Sequence, residues 1–227
     1  MSQPTADWIE ELTRTVSSRL IAAEDDLASS DEEVFACRRR ESLRAFEKHI
    51  PPRFRWSRID HPKFRERVSL PTIPLQPPEA MSVLLFGPSK AGKTTLAVAL
   101  LRTLLEAKVA AHAFTSDEDI DVVALHCRFV PARRLGFAAT VPGDPLEIRR
   151  AMRAPVLLLD DLGRDADIKS NPVPAIIAER HDEELPTWIT TELTPPEILN
   201  RYGGGVARRI CESADFFRFG SRTVALR

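Results

Sequence analysis

Residues 82–101, SVLLFGPSKAGKTTLAVALL, constrain this chain more than any other stretch. An apolar run, the pattern G-x-x-x-x-G-K-[ST] and an apolar-rich helical segment follow one another. That strand–loop–helix context is where the pattern holds phosphates. Gly87 and Gly92 let the backbone turn its N–H groups inward, and the positive end of the following helix adds to the attraction. Lys93 is expected to reach the β- and γ-phosphates of ATP, and Thr94 to place its hydroxyl on Mg²⁺. Pro88, Ser89, Lys90, Ala91 and Thr95 complete the expected nucleotide-binding set.

A fold class follows from what surrounds this loop. SVLLFG, AAHAFTS, APVLLLDD, PTWITT and a terminal pair near FFRFG and TVALR read as strands, with helical segments between most of them. Strand–helix alternation of this kind predicts an α/β domain, a parallel sheet flanked by helices. At 227 residues the chain has room for one such domain and a small appendage. The appendage comes first. Trp8, Leu12, Val16, Leu20 and Leu27 fall on one helical stripe, and Ser30 with Glu33 forms a capping-box pattern opening a second helix through about His49. The resulting division is a helical partner-binding region over 1–50, a proline-rich extended linker over 51–80, and the nucleotide-binding domain over 81–227. A helical hairpin packed on the main domain reads as well from the same periodicity as a partner-binding module does.

Composition excludes some functions. A formal net charge of −1 argues against a uniformly basic nucleic-acid coat while leaving local patches open. Cys37, Cys127 and Cys211 form no CxxC pair, so neither a disulfide framework nor a zinc site is supported. The longest apolar runs are too short to cross a bilayer and the N-terminus has no apolar signal core, which reads as a reduced, cytoplasmic protein.

Three further stretches carry candidate chemistry. In VLLLDDLG an apolar strand runs straight into two carboxylates, which need a partner. Beside a phosphate loop Asp160 would hold Mg²⁺ and Asp161 would polarise the attacking water. LPTWITTEL ends a strand in polar residues, with Thr191 and Glu192 as candidates for a place between the γ-phosphate and the second carboxylate. RYGGGVARRI sets Arg208 and Arg209 on a helix after a glycine-rich turn, where an arginine could complete a neighbouring subunit's site.

In this order and spacing the four elements resemble the AAA+ ATPases of the bacterial helicase-loader and transposition-helper group, DnaC-like and IstB-like. The resemblance runs from HIPPRFRWSRID through GPSKAGKTTLAVAL, VLLLDDLG, ERHDEELPTWITTEL and RYGGGVARRI, about the last three-quarters of the chain. It implies that Gly87, Gly92, Lys93 and Thr94 are Walker A and that Asp160 and Asp161 are Walker B. It puts Glu192 in the slot of the polar sensor, commonly asparagine in the group, and Arg209 at the trans-acting arginine. Ile50, Pro51, Pro52, Arg53 and Phe54 match a segment expected near the adenine, and a full C-terminal lid is expected to be missing. Two departures stand out. Glu192 adds a third carboxylate near the γ-phosphate, where repulsion weakens ATP binding unless Mg²⁺ or an arginine offsets it. The N-terminal region also lacks the cysteine cluster some loaders carry.

The preferred reading is an ATPase switch that self-associates through its ATP sites and grips single-stranded DNA, with Arg128, Arg133 and Arg134 as candidate phosphate contacts. It would recruit a replicative helicase or, in the helper version, a transposase. Two others stay open: an ATP-dependent adaptor that hydrolyses poorly, motivated by Glu192, and a small-molecule kinase whose lid would be ARRLGFAATVPGDP.

Overall fold

Alternating apolar side chains cover both faces of a central parallel sheet. The computed structural model describes residues 32–68, 82–112, 116–124, 126–140, 146–165 and 171–220. Its strands are β1 (Ser82–Phe86), β2 (Cys127–Pro131), β3 (Val156–Leu162), β4 (Thr187–Thr191) and β5 (Ala214–Arg218), all parallel, in the order β2-β3-β4-β1-β5. The helices are α1 over 32–49, α2 (Pro62–Arg67), α3 (Lys93–Ala111), α4 (Glu118–Ala124), α5 (Ala132–Thr140), α6 (Leu146–Arg153), α7 (Val173–Asp182), α8 (Pro195–Tyr202) and α9 (Gly204–Ser213).

Strand periodicity sends Val83 and Leu85 to one side of the sheet and Leu84 to the other. On the first side Phe129, Leu158 and Trp188 meet α3, together with Phe46 and Ile50 at the end of α1 and Phe64 of α2. On the second side Val130, Leu157, Leu159 and Ile189 meet α5 to α9. Helix α3 is buried nearly all round, from Thr95 to Val109, so it is the domain's central helix and not a surface one. Burial on both faces is what an all-parallel sheet requires, since each crossover lays a helix on one face or the other.

The described residues amend the sequence reading in several places. The first residues of AAHAFTS are not strand: Ala110 and Ala111 are the last turn of α3, His112 caps it, and 113–115 lie outside the described residues. The strand after α3 is CRFVP instead, at the sheet edge beside β3. The proline-rich segment is not extended throughout. Pro52–Phe54 makes a 3₁₀ turn and Pro62–Arg67 the short α2, in each case with proline at the helix start, where its missing N–H costs nothing. The Trp8–Leu27 stripe, Ser30 and the TVALR strand lie outside the described residues. Among the described residues no helix is long and apolar enough to cross a membrane, and no helical lid follows β5.

The segment before the sheet is bound to it by polar contacts as well as by core packing. Arg102, buried in α3, donates to Glu47 of α1 and, at 2.8 Å, to the Arg55 carbonyl. Ser42 donates to the Ile120 carbonyl at 2.9 Å, and Arg58 pairs with Glu106 at 2.6 Å.

Candidate nucleotide-binding site

The phosphate loop leaves the C-terminal end of β1 and enters α3 at its N-terminus. Gly92 shows why glycine stands at the helix start: its φ is 95°, and a Cβ there would collide with the Arg67 carbonyl at the end of α2. Lys93 is buried, and its ammonium donates to the Gly87 and Pro88 carbonyls, each at 2.8 Å. Burial holds its pKa below the ordinary lysine value, against the upward pull of Glu192, Asp161 and Asp160.

Strand β3 brings both acids to this loop through an irregularity. Leu159 pairs with Ile189 and Leu162 with Thr191, so three steps along β3 match two along β4. One extra residue is a β-bulge, which re-aims side chains that strict alternation would send to opposite faces. Asp161 absorbs the turn with a φ of 57°, the left-handed region that aspartate tolerates better than most residues. Asp160 is buried and accepts from the Thr94 and Thr190 hydroxyls, both at 2.7 Å. Burial raises its pKa, opposed by those two hydrogen bonds. The Asp161 N–H donates to the Thr190 hydroxyl at 3.0 Å. Thr190 therefore clamps both Asp160 and Asp161, a role the sequence reading missed. Its neighbour Thr191 does not reach the site: its hydroxyl donates to the Leu162 carbonyl at 2.6 Å and accepts from the Leu193 N–H at 3.0 Å.

A cavity of about 530 Å³ opens over these groups, lined by Ser89 to Thr95, Asp161, Arg164 and Glu192 and, from the preceding segment, Arg53, Phe54, Trp56 and Arg67. Five of the lining side chains are basic (Arg53, Arg67, Lys90, Lys93, Arg164) against two acidic (Asp161, Glu192), a balance that suits a polyanion. Glu192 is half-exposed and pairs with Arg164 at 2.8 Å. That hydrogen bond, with help from the Ser89 hydroxyl and Lys93, holds its carboxyl below the usual glutamate range. The offsetting arginine that the sequence left unnamed is thus Arg164, two residues beyond the Walker B strand's Leu162.

Mg²⁺ fits the donor set. A hydroxyl and a carboxylate meet at Thr94 and Asp160, both oxygen donors, and a cation that keeps most of its water needs little more from the protein. Among the described residues no cluster of three His, Cys, Asp or Glu side chains offers a cage for a softer metal.

Other expected residues lie elsewhere. Arg209 lines a second cavity of about 480 Å³ with Ser82, Thr187 and Ala214, the first residues of β1, β4 and β5. This is the opposite edge of the sheet from the phosphate loop. Arg208 is exposed and pairs within its helix with Glu212 at 3.8 Å. Arg128 is buried and paired with Glu147 at 3.0 Å, so it is not free to contact nucleic acid, whereas Arg133 and Arg134 are exposed on α5, Arg134 also pairing with Glu147 at 3.5 Å. None of the described residues of ARRLGFAATVPGDP lines the nucleotide cavity, and 141–145 lie outside the described residues.

With β4 between the loop strand and the acidic strand, fold and site have the arrangement of a P-loop NTPase domain. The chain resembles the structure of a candidate primosome component from Streptococcus pyogenes serotype M3, with 19% identity, 78% of this chain and 95% of that one covered and a TM-score of 0.54. That likeness shows a shared fold. Structures of the DnaC helicase loader (23% identity, 64% of this chain and 81% of that one, TM-score 0.49) and of DnaI (19%, 64% and 76%, TM-score 0.46) overlap more loosely. No family model and no curated protein matches the sequence.

Proposed function

We propose that this chain is an ATP-dependent switch of the helicase-loader kind: it binds ATP with Mg²⁺, self-associates, engages single-stranded DNA and recruits a replicative helicase. The observation that carries the nucleotide part is the meeting of Lys93, Thr94 and Asp161 around one basic cavity at the C-terminal edge of the sheet, with Asp160 and Thr190 hydrogen-bonded behind them. Phe54 and Trp56 give that cavity an aromatic wall suited to a base, and Arg53 stacks on Phe54 at 4.5 Å. Thr94 and Asp160 would hold Mg²⁺, which supplies charge neutralisation on the phosphates. Asp161 would orient and polarise the attacking water, its backbone held in place by Thr190.

For the partner role, the division at residues 50 and 80 assigns recruitment to 1–50. Within it Phe46 is committed to the core, whereas Val34 and Phe35 on α1 are exposed and available to another protein. DNA contact falls to the exposed Arg133 and Arg134. A transposase in place of the helicase is the alternative partner. A second reading, an adaptor that binds ATP but turns it over slowly, is favoured by one observation: Glu192 stands where a neutral sensor is expected.

Steady-state ATP hydrolysis with and without single-stranded DNA, beside Lys93→Ala, separates these readings. DNA-stimulated turnover that the substitution abolishes supports the switch. Tight ATP binding with no turnover selects the adaptor, and no binding at all rejects both.

A further inference from the structure

We propose that Arg164 is a terminal-phosphate-binding residue acting within its own subunit, and that Glu192 positions it. This rests on the nucleotide reading above and deepens it. The pair cannot be there for stability alone, because both partners are substantially exposed and a surface ion pair contributes little. Its placement is more telling. Arg164 lies in the turn that follows β3, held by its own N–H donating to the Asp161 carbonyl at 3.0 Å. Gly163, at φ 103°, makes that turn, and its N–H donates to the buried Asp165 carboxylate at 3.1 Å. The backbone carrying the guanidinium is therefore anchored at both ends of a tight turn. The Asp161 and Glu192 charges both act on Arg164, and its own charge acts on Lys93, so it belongs to the charged group at the phosphate loop.

Glu192 completes the arrangement. It takes a hydrogen bond from Arg164 on one side, and it lines the same cavity as Ser89 of the phosphate loop, whose hydroxyl helps to hold its carboxyl ionised, so it stands between the β3 turn and the loop. A guanidinium has five donors in a planar fork, and one bond to Glu192 leaves the others for a second oxyanion. Lys93, Arg164 and the Mg²⁺ held by Thr94 and Asp160 would together offset the charge of a terminal phosphate beside Asp161 and Glu192. A diphosphate lacks the group that Arg164 would meet, so the device selects ATP over ADP.

The test is titration of the full chain with ATP and with ADP, in Mg²⁺, by isothermal calorimetry, for the wild type, Arg164→Ala, Glu192→Gln, the double variant and Lys93→Ala. Arg164→Ala should weaken ATP about tenfold or more while moving ADP by less than threefold, the loss expected for a charged hydrogen bond. Glu192→Gln, which loosens the hold on Arg164, should shift the ATP-to-ADP ratio in the same direction by a smaller factor, and should add nothing further in the double variant, since it acts through Arg164. Equal losses for ATP and ADP, or no loss, in Arg164→Ala overturn the inference while leaving the nucleotide site standing. A wild type that binds neither nucleotide overturns the site itself. If Arg164→Ala does not fold, Glu192→Gln decides: an unchanged ATP-to-ADP ratio rejects the proposal.

Discussion

Two hydroxyls converging on one oxygen of Asp160 show how this site holds a charge where charge is costly. The side chain is 2% exposed, and burial alone raises its pKa, so ionisation works against the fold and is tolerated because Thr94 and Thr190 donate to it. The sign follows: a carboxyl whose folded pKa is raised stabilises the fold below its unfolded pKa and loses that contribution as pH rises through the folded value. Asp160→Asn keeps an acceptor for both hydroxyls and removes the charge. Its melting temperature without nucleotide at neutral pH should rise, by about 2–4 °C for each kcal/mol relieved. The further rise given to the wild type by Mg²⁺ and ATP should disappear. A lower melting temperature without nucleotide would show the carboxylate to be stabilising. Thr190 and Thr191 give a matched comparison. Both are fully buried, and Thr→Val at either removes a paired hydroxyl, costing about 1–3 kcal/mol in urea unfolding. Thr190→Val should also lose Mg²⁺-dependent ATP binding, because it unclamps Asp160 and Asp161, while Thr191→Val should lose stability only.

At the scale of elements, most of what the sequence made legible was periodic or punctuated. The apolar run of β1, the glycines of the loop and the start of α3 are local signals, and the structure has them where pattern reading put them. The start of AAHAFTS misled because alternation of small and polar residues reads as strand, whereas Ala110 and Ala111, with no breaker before them, prolong α3. CRFVP was passed over because its arginine and its proline look like loop; the structure buries Arg128 against Glu147 and puts Pro131 last in an edge strand. The bulge at Asp160 and Asp161, and with it the role of Thr190, depends on how β3 and β4 register, which no single segment encodes. The Arg164–Glu192 pair had a usable signal: residues just past the ends of neighbouring parallel strands are brought side by side. The segment before the sheet makes a prediction at this scale. Arg102 of α3 holds both Glu47 and the Arg55 carbonyl, so Arg102→Met, which keeps the buried stem, should loosen 47–56 from the core at a cost of about 1–3 kcal/mol. Limited proteolysis should then cut faster within that stretch, and Trp56 emission should shift to the red. Unchanged cleavage would mean that Phe46 and Ile50 hold the segment without it.

For the whole molecule the decisive fact is where Arg209 stands. It neighbours the first residues of β1, β4 and β5, while the phosphate loop follows the last residue of β1, a five-residue strand about 16 Å long. No arginine side chain on α9 spans that distance through the sheet, so within one subunit Arg209 and Lys93 cannot act on the same phosphate. Asp182 holds its guanidinium at 3.6 Å and the Gly205 carbonyl at 3.4 Å, and a quarter of the side chain stays exposed. If the proposed switch is right, that arginine serves a second copy, and the interface is heterologous, the head of one subunit against the tail of the next. Lys93→Ala and Arg209→Ala should then each be inactive alone, the second by roughly three orders of magnitude, the lower end of what a trans-acting arginine supplies. Mixed in equal amounts they should recover turnover. An Arg209→Ala subunit keeps its own Lys93 and borrows Arg209 from a Lys93→Ala neighbour, a pairing present at about a quarter of the interfaces in a random head-to-tail mixture. ATP hydrolysis by the mixture, measured against each variant alone at the same total concentration, checks this. Recovery near that fraction places Arg209 in the neighbour's site. A mixture no more active than its components assigns Arg209 a role within its own subunit, and the loss on substitution would then be a loss of packing against Asp182 and the base of the sheet.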